Sequence, residues 1–326
     1  MKLATSIAAV VFGLSVGAAW GQTAPVKLRF GHAHPTSDSQ HVAALEFAKK
    51  VKERTQGAIE VQVFPSNQLG NDNTMIAGVR GGTIDIEMSG NPYFTGIEPK
   101  LNVLDLPYLF DNMTHVAKVL DGSIGRALLN DLETKQMKGL AFWEIGFRSL
   151  ANSRRPVNKA DDIKGLKLRT TPNQAHIKAF QLLGAAPQPM PFAEVYSALE
   201  TKAIDGHENP PSVMLSTKMY EVQKHLSLTK HAYTASIVVM NKGKFDSLKP
   251  EHQQILLQEA TSAAAFQRDL NAKGEASALA ELRKQGMQVV EKPDAEGMKK
   301  IVAEETRKMF IEKNGDELLK AVDALR

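Results

Sequence analysis

The stretch Val26-Lys27-Leu28-Arg29-Phe30-Gly31, with the sequence that follows it, decides the fold class. Apolar and polar residues alternate along it, which is typical of a β-strand. Asp38 or Ser39 can then cap a helix, in which apolar residues recur at helical spacing until Gly57 ends it. The stretch therefore predicts a strand followed directly by a helix.

The next segments repeat this alternation of strand and helix. Ile59, Val61 and Val63 alternate with polar residues and predict a second strand. A short helix over about 73–80 and a third strand, carrying Ile84, Ile86 and Met88, follow. Strand, helix, strand, helix, strand is the pattern of a parallel sheet covered by helices.

The second part of the chain restarts the same pattern. The spacing predicts strands over 139–146, 165–170, about 233–240 and 287–290, and helices over 173–183, 192–202, Pro250 towards Lys284, and the tail from Asp294. Two α/β units of this kind, joined by strands that pass between them, form a cleft at the carboxyl ends of their strands.

The N-terminus indicates an exported protein. Lys2 supplies a positive charge, the residues from Leu3 to Ala19 carry none, and the small residues Ala19 and Gly21 flank Trp20. This is the pattern of a cleaved signal peptide over residues 1–21, and it predicts a periplasmic protein. The alternative is a membrane anchor, but the uncharged run is shorter than the roughly 20 residues that span a bilayer.

Composition excludes several classes of function. The 326-residue chain has no cysteine, which excludes disulfides, thiolate metal sites and a cysteine nucleophile. Its net charge of +4 is small, and the basic residues are interleaved with acids, so we expect no nucleic-acid partner. There is no Gly-x-Ser-x-Gly elbow, phosphate-binding loop or dinucleotide fingerprint. We therefore expect neither an enzyme nor a cofactor.

Three histidines lie close together near the first strand: His32, His34 and His41. They could bind a metal, but no His-Glu-x-x-His spacing is present and no carboxylate falls in register with them. Side chains two apart on a strand point to the same side, so contact of His34 with a ligand is the more natural interpretation. We expect no metal site.

Two arginines follow apolar stretches that we interpret as parallel strands, namely Arg148 and Arg169. A guanidinium at the carboxyl end of a parallel strand points into a cleft, where it can hold a carboxylate through two hydrogen bonds. A surface ion pair is the alternative for either residue. The segment from Asp205 to Pro211 reads as a rigid loop that either presents Asn209 to a polar ligand or simply ends a helix.

Several motifs resemble the solute-binding subunits of tripartite ATP-independent periplasmic (TRAP) transporters, the DctP-like family. They are Gly165-Leu166-Lys167-Leu168-Arg169, Met190-Pro191-Phe192-Ala193-Glu194-Val195-Tyr196-Ser197-Ala198-Leu199, Asp205-Gly206-His207-Glu208-Asn209-Pro210, Phe64-Pro65-Ser66-Asn67-Gln68-Leu69-Gly70 and Leu106-Pro107-Tyr108-Leu109-Phe110. The resemblance covers nearly the whole chain after the signal peptide. The sequence departs from the family at His207, where the family usually has glutamine.

The resemblance implies a two-lobed α/β fold, like that of periplasmic binding proteins, with a hinge and a long spanning helix. Lobe I would comprise 22–146 plus about 234–273, and lobe II 147–233 plus about 274–326. It also implies that Arg169 grips the substrate carboxylate, that Arg148 assists it, that Asn209 orients the acid and that Phe192 forms an aromatic wall. Polar residues of lobe I would vary with the ligand. The full set of expected ligand-binding residues is Arg169, Arg148, Asn209, Phe192, His34, Gln40, Asn73, Asn91 and His207.

The expected function is therefore capture of a small organic acid and its delivery to the membrane subunits of a TRAP transporter, by a protein that we expect to be a monomer. Amides and imidazoles in the expected lining favour a hydroxylated acid, a hexuronate such as glucuronate or galacturonate. A C4-dicarboxylate or keto acid held by two arginines is the alternative. A periplasmic lyase or isomerase is more remote, with Glu144 or His207 as its base.

Overall fold

The structure is a computed structural model that describes residues 24–326. The predicted signal peptide, residues 1–21, lies outside the described residues. The strands are β1 (Val26–His32), β2 (Ile59–Phe64), β3 (Ile86–Gly90), β4 (Met137–Asn152), β5 (Lys167–Thr170), β6 (Ala186–Pro189), β7 (Gly206–Asn209), β8 (His225–Asn241) and β9 (Gln288–Val290). Together with the helices they confirm the predicted α/β class.

The helices alternate with these strands for most of the chain. They are α1 (Ser39–Arg54), α2 (Asp72–Gly81), α3 (Met113–Leu120), α4 (Ser123–Asp131), α5 (Gln174–Leu182), α6 (Val195–Glu200), α7 (Pro211–Ser216), α8 (Lys242–Asp246), α9 (Pro250–Lys284), α10 (Ala295–Asn314) and α11 (Glu317–Asp323). Short 3-10 helices occur at Asn91–Tyr93, Pro99–Asp105, Leu132–Lys135, Ala160–Ile163, Phe192–Glu194 and Met219–Glu221. None of the helices in residues 24–326 is long and apolar enough to cross a membrane.

One sheet runs through the whole described chain, in the order β2-β1-β3-β8-β4-β7-β5-β6, with β9 paired to β8. In the first half β1 is parallel to β2 and β3, and in the second half β5 is parallel to β6 and β7. The middle of the sheet is antiparallel, since β8 pairs with β3 and β4, and β4 also pairs with β7. Each parallel half forms one lobe.

The two lobes are joined by β4 and β8, whose pairing runs from Met137 opposite Asn241 to Asn152 opposite His225. The predicted strands over 139–146 and 233–240 are parts of these longer strands. The end predicted at Gly146 is wrong, because Gly146 lies at a register shift with a φ of 121° and the strand continues beyond it. A glycine adopts this conformation without strain, so it allows a bulge rather than a stop.

The long helix α9 begins and ends where the sequence predicts. Pro250 occupies its first turn, where proline costs no hydrogen bond. Small buried residues on one face, Ala260, Ala263 and Ala264, pack in the same apolar cluster as Ala43 and Ala44 of α1. Short side chains on both helices permit close packing, which places α9 against α1 and β4.

Helix α1 also begins at a predicted cap. The Asp38 side chain accepts a hydrogen bond of 2.9 Å from the backbone N–H of Gln40, and the same carboxylate accepts one of 2.9 Å from the Ser216 hydroxyl. Ser216 ends α7 in the other lobe. The cap therefore orders the start of α1 and ties the two lobes together.

Two predicted elements differ in the structure. The third strand begins at Ile86 rather than Ile84, although Ile84 is buried. The segment 205–211, predicted as a rigid loop, contains β7 and the start of α7. No apolar alternation marks β7, because its buried His207 and Glu208 are held by polar partners instead of by an apolar core.

The lobe boundaries stay a prediction. They fall within β4 and β8, so each of these strands belongs partly to both lobes. At the end of the chain, Met298 and Val302 of α10 pack in the second lobe. Leu319 and Val322 of α11 pack in a cluster that holds residues of both predicted lobes, and the carbonyl of Val322 lies 3.0 Å from Nε2 of His115. The assignment of 274–326 to lobe II therefore stays a prediction.

Candidate functional site

A cavity lies where the two lobes meet. Its lining combines basic, amide, hydroxyl and aromatic side chains from both lobes with one carboxyl group: His34, Asp72, Gly90, Pro92, Tyr93, Ile145, Arg148, Arg169, Thr171, Phe192, Asn209, Val213 and Thr234. A concave site with a few convergent polar groups is typical of a binding site for a small molecule.

Arg169 lies in β5, beside the parallel strands β6 and β7, and its side chain is only 1 % exposed. Its Nε and Nη2 donate to the carbonyl of Met190 at 3.1 and 2.9 Å, and Nη2 also donates to the Tyr93 hydroxyl at 2.9 Å. These bonds leave the two N–H groups of Nη1 unused within residues 24–326. Arg169 thus presents a fixed, buried cation whose hydrogen bonds within residues 24–326 go to no carboxylate.

Arg148 lies within β4 rather than at the end of a parallel strand, so that part of the prediction is wrong. Its guanidinium forms a salt bridge with Glu208, and Nη1 lies 3.4 Å from the Thr234 hydroxyl. Although burial opposes ionisation of Glu208, the Arg148 guanidinium holds its pKa well below the usual value. Arg148 therefore lines the cavity as half of an ion pair and adds little net charge.

Asn209 is the last residue of β7, and its side-chain amide reaches the cavity. His207, on the side away from the cavity, orients this amide. Its Nδ2 lies 3.2 Å from Nδ1 of His207. Burial, with a contribution from the nearby Arg169, lowers the pKa of His207 to about 3, so the ring is neutral and its Nδ1 can accept this hydrogen bond. The oxygen and the second N–H of the Asn209 amide remain for a ligand.

An aromatic wall closes one side of the cavity. The rings of Phe192 and His34 stack with centroids 5.9 Å apart, and the Arg169 guanidinium lies 5.9 Å from the Phe192 centroid. His34 Nδ1 is 3.4 Å from the Asp38 carboxylate. Burial opposes the charge on His34, but Asp38 raises its pKa above the usual value. His34 and Asp38 therefore form a second compensated pair.

The structure brings five of the nine predicted ligand residues together around the cavity: His34, Arg148, Arg169, Phe192 and Asn209. The other four do not line it. Asn73 is exposed on α2, and Gln40 accepts a hydrogen bond of 3.1 Å from Ser236. Asn91 donates to Asp105 at 2.7 Å, and His207 lies behind Asn209.

Two of these positions follow from local geometry. A helix that begins at Asp72 turns Asn73 towards solvent and Asp72 inwards, so Asp72 rather than Asn73 lines the cavity. Asn91 starts a short 3-10 helix, and its amide also bonds the Leu101 carbonyl at 2.9 Å. Its role is to hold that loop against the sheet.

Sequence reasoning missed three polar residues that line the cavity: Tyr93, Thr171 and Thr234. Tyr93 had a usable signal, since it follows the third strand in Asn91-Pro92-Tyr93, where a parallel strand ends at the cleft. Its hydroxyl accepts the N–H of Phe192 at 3.1 Å as well as that of Arg169, so it links lobe I to lobe II. Thr234 had none, because it lies inside the apolar β8.

The three histidines near β1 do not assemble a metal site. His32 Nε2 lies 3.1 Å from His41 Nδ1. Burial, followed by the nearby His34 and His41, lowers the pKa of His32 to about 3. Within residues 24–326 no group of three or more histidine or acidic side chains has a geometry that could hold a metal ion.

Comparison with known proteins adds to this geometry. Residues 30–313 match DctP, bacterial extracellular solute-binding protein, family 7. The chain is 46 % identical over 301 residues to the 2,3-diketo-L-gulonate-binding periplasmic protein YiaO of Escherichia coli (strain K12), covering 92 % of each protein.

Two solved structures share the fold. One is a TRAP periplasmic solute-binding protein from Polaromonas sp. JS666 bound to D-erythronate, with a TM-score of 0.89 and 37 % identity over 92 % of this chain and 98 % of that one. The other, from Sulfurospirillum deleyianum, has bound succinate, with a TM-score of 0.88 and 29 % identity over 93 % of this chain and 100 % of that one.

Proposed function

The chain belongs to family 7 of the bacterial extracellular solute-binding proteins, the DctP family of TRAP periplasmic receptors, and we propose that it captures a sugar acid and delivers it to a TRAP membrane complex. In this proposal the protein is a periplasmic monomer, exported by a cleaved signal peptide over residues 1–21. It binds its ligand without changing it.

The single observation that carries the proposal is the unpaired guanidinium of Arg169 in the cavity between the lobes. A buried cation without a carboxylate partner is costly, and an anionic ligand offsets that cost. Asn209 offers the ligand a second donor, and Phe192 with His34 provides a flat wall beside it.

A hexuronate such as glucuronate or galacturonate is the ligand that we favour. The Arg148–Glu208 pair is neutral overall, so Arg169 alone is left to hold one carboxylate, and the hydroxyl and amide groups of the cavity match the hydroxyls of a sugar. Relatives that bind diketogulonate and erythronate support a hydroxylated acid. A C4-dicarboxylate or a keto acid is the second candidate, and the succinate-bound relative favours it.

Capture by closure accounts for contacts that connect the lobes around the cavity. The Tyr93 hydroxyl of lobe I accepts hydrogen bonds from Arg169 and Phe192 of lobe II, and the Asp38 carboxylate accepts one from the Ser216 hydroxyl. In the proposed sequence the acid first binds Arg169 in an open cleft. Bending of β4 and β8 then brings the other lobe over it and removes the acid from water.

A receptor role also fits the two residues that could act as a base. The Glu144 carboxylate accepts hydrogen bonds from Asn271 at 2.8 Å and Tyr233 at 3.3 Å, and it does not line the cavity. The neutral His207 lies behind Asn209. A catalytic base must reach the proton that it removes, and in this structure neither group is so placed.

A thermal-shift panel tests the proposal. Protein that has been unfolded and refolded to remove co-purified acid is mixed with uronates, aldonates, keto acids and C4-dicarboxylates. A bound ligand raises the melting temperature by mass action. We expect the largest increase with a hexuronate or another sugar acid. A response to succinate alone would contradict the sugar-acid assignment, and consumption of the bound acid would contradict a pure receptor.

A further inference from the structure

One carboxyl group lines the cavity that we propose for an acidic ligand. Asp72 is the first residue of α2, its side chain is 4 % exposed, and it lines the same cavity as Arg169. Its Oδ2 is buried without a hydrogen-bond partner within residues 24–326. A buried acceptor of this kind is costly unless something donates to it.

The neighbours of Asp72 do not satisfy it. His34 faces it but forms its pair with Asp38, and Arg169 directs its hydrogen bonds to Met190 and Tyr93. Ser89, on the adjacent strand, donates at 2.7 Å to Glu87. Because Asp72 lines the cavity, a ligand bound there can donate to its carboxyl group.

Two basic side chains of the lining have acidic partners. Arg148 pairs with Glu208, and His34 with Asp38, which leaves Arg169 and Asp72 as the basic and the acidic side chain of the lining without a salt-bridge partner within residues 24–326. A ligand with a single carboxylate satisfies the first group, and its hydroxyls can donate to the second. A ligand with two carboxylates would place its second anion in a cavity that has no further unpaired cation.

We infer that Asp72 is the specificity-determining residue of the site, accepting hydrogen bonds from ligand hydroxyls and rejecting acids that carry a second carboxylate. This inference rests on the proposed function and narrows its substrate class to polyhydroxy monocarboxylates. Specificity of this type comes from a repulsive element as well as from attractive contacts.

Matched pairs of acids test the inference directly. D-Erythronate and meso-tartrate differ only in that a terminal CH₂OH is replaced by a carboxylate, and so do D-gluconate and D-glucarate. Calorimetry at about pH 8, above the usual range of carboxyl pKa values, gives the ratio of affinities within each pair. We expect the wild type to prefer the monocarboxylate in whichever pair it binds.

Asp72→Asn keeps the shape of the side chain but removes its charge. We expect it to reduce the preference for the monocarboxylate by about tenfold or more, because it lowers the affinity for the monocarboxylate and raises the affinity for the matching dicarboxylate. Asp72→Glu keeps the charge and should keep the sign of the preference. Glu296→Gln, at a side chain that is 77 % exposed, makes the same charge change away from the cavity and should leave the ratio unaltered. If Asp72→Asn does not fold, Asp72→Ser replaces it with the same expectation.

The outcomes separate the two proposals. An unchanged ratio in Asp72→Asn, or a wild type that prefers meso-tartrate or D-glucarate, would overturn the inference and leave a receptor for organic acids in place. Failure of the wild type to bind any acid in the pairs or in the thermal-shift panel would overturn both.

Discussion

Replacing Arg169 by alanine should weaken binding of the acid by about two to three decades. Three of the five N–H groups of the guanidinium are used by Met190 and Tyr93, which leaves the two on Nη1 for a ligand. Hydrogen bonds to charged groups contribute about 1.5–3 kcal/mol each. Truncating one partner of a buried charge pair costs about 2–5 kcal/mol, so the two estimates overlap.

Isothermal titration of ligand-stripped protein measures this loss. Arg169→Lys keeps the charge but not the planar fork, so we expect an affinity between those of the wild type and the alanine variant. Arg154→Ala serves as the control, because Arg154 is 65 % exposed in the same lobe and should leave the affinity unchanged. Wild-type affinity in a folded Arg169→Ala protein would refute the assignment of this residue.

Three further perturbations test the ion pair, a buried acid and the hydrogen bonds that join α9 to β4. Glu208→Gln leaves Arg148 buried without its carboxylate, so the free energy of unfolding in urea should fall by about 3–5 kcal/mol; an unchanged midpoint would argue against the pair. Burial raises the pKa of Glu87 well above its usual value. The protonated Glu87 therefore contributes its full stability below the pKa of the unfolded state, about 4.3, and this contribution is lost as the pH rises towards the pKa of the folded state. Glu87→Gln should therefore flatten the fall in melting temperature with rising pH, and an equally steep fall would contradict this. Gln267 bonds the backbone N–H and carbonyl of Glu144 at 2.8 and 2.7 Å, so Gln267→Ala should lower the free energy of unfolding by about 1–3 kcal/mol in the same titration, whereas no loss would mean that the strand does not depend on this side chain.

The regular elements of the fold could be predicted because their sequences carry the pattern directly. Alternation in β1 and β2 and the proline that begins α9 are local signals. The continuation of β4 past Gly146 could not be predicted, because a glycine marks a bulge and a strand end in the same way. Strand β7 was hidden for a different reason, since the partners that bury its polar side chains are distant in sequence.

The candidate site likewise contains residues that the sequence could identify and residues that it could not. Arg169, Asn209 and Phe192 lie in motifs that the family resemblance identifies, and the structure places all three at the cavity. Asp72 and Tyr93 reach it only because α2 and a 3-10 helix bring them there from lobe I. The compensation of Arg148 depends on a contact between β4 and β7, which the sequence does not reveal.

A crystal structure of the protein with a bound sugar acid tests the central claim most directly. We predict a ligand carboxylate oxygen within about 2.7–3.1 Å of the Arg169 guanidinium, enclosed by both lobes. An acid bound elsewhere, or a guanidinium of residue 169 that faces bulk solvent in the closed protein, would contradict the account.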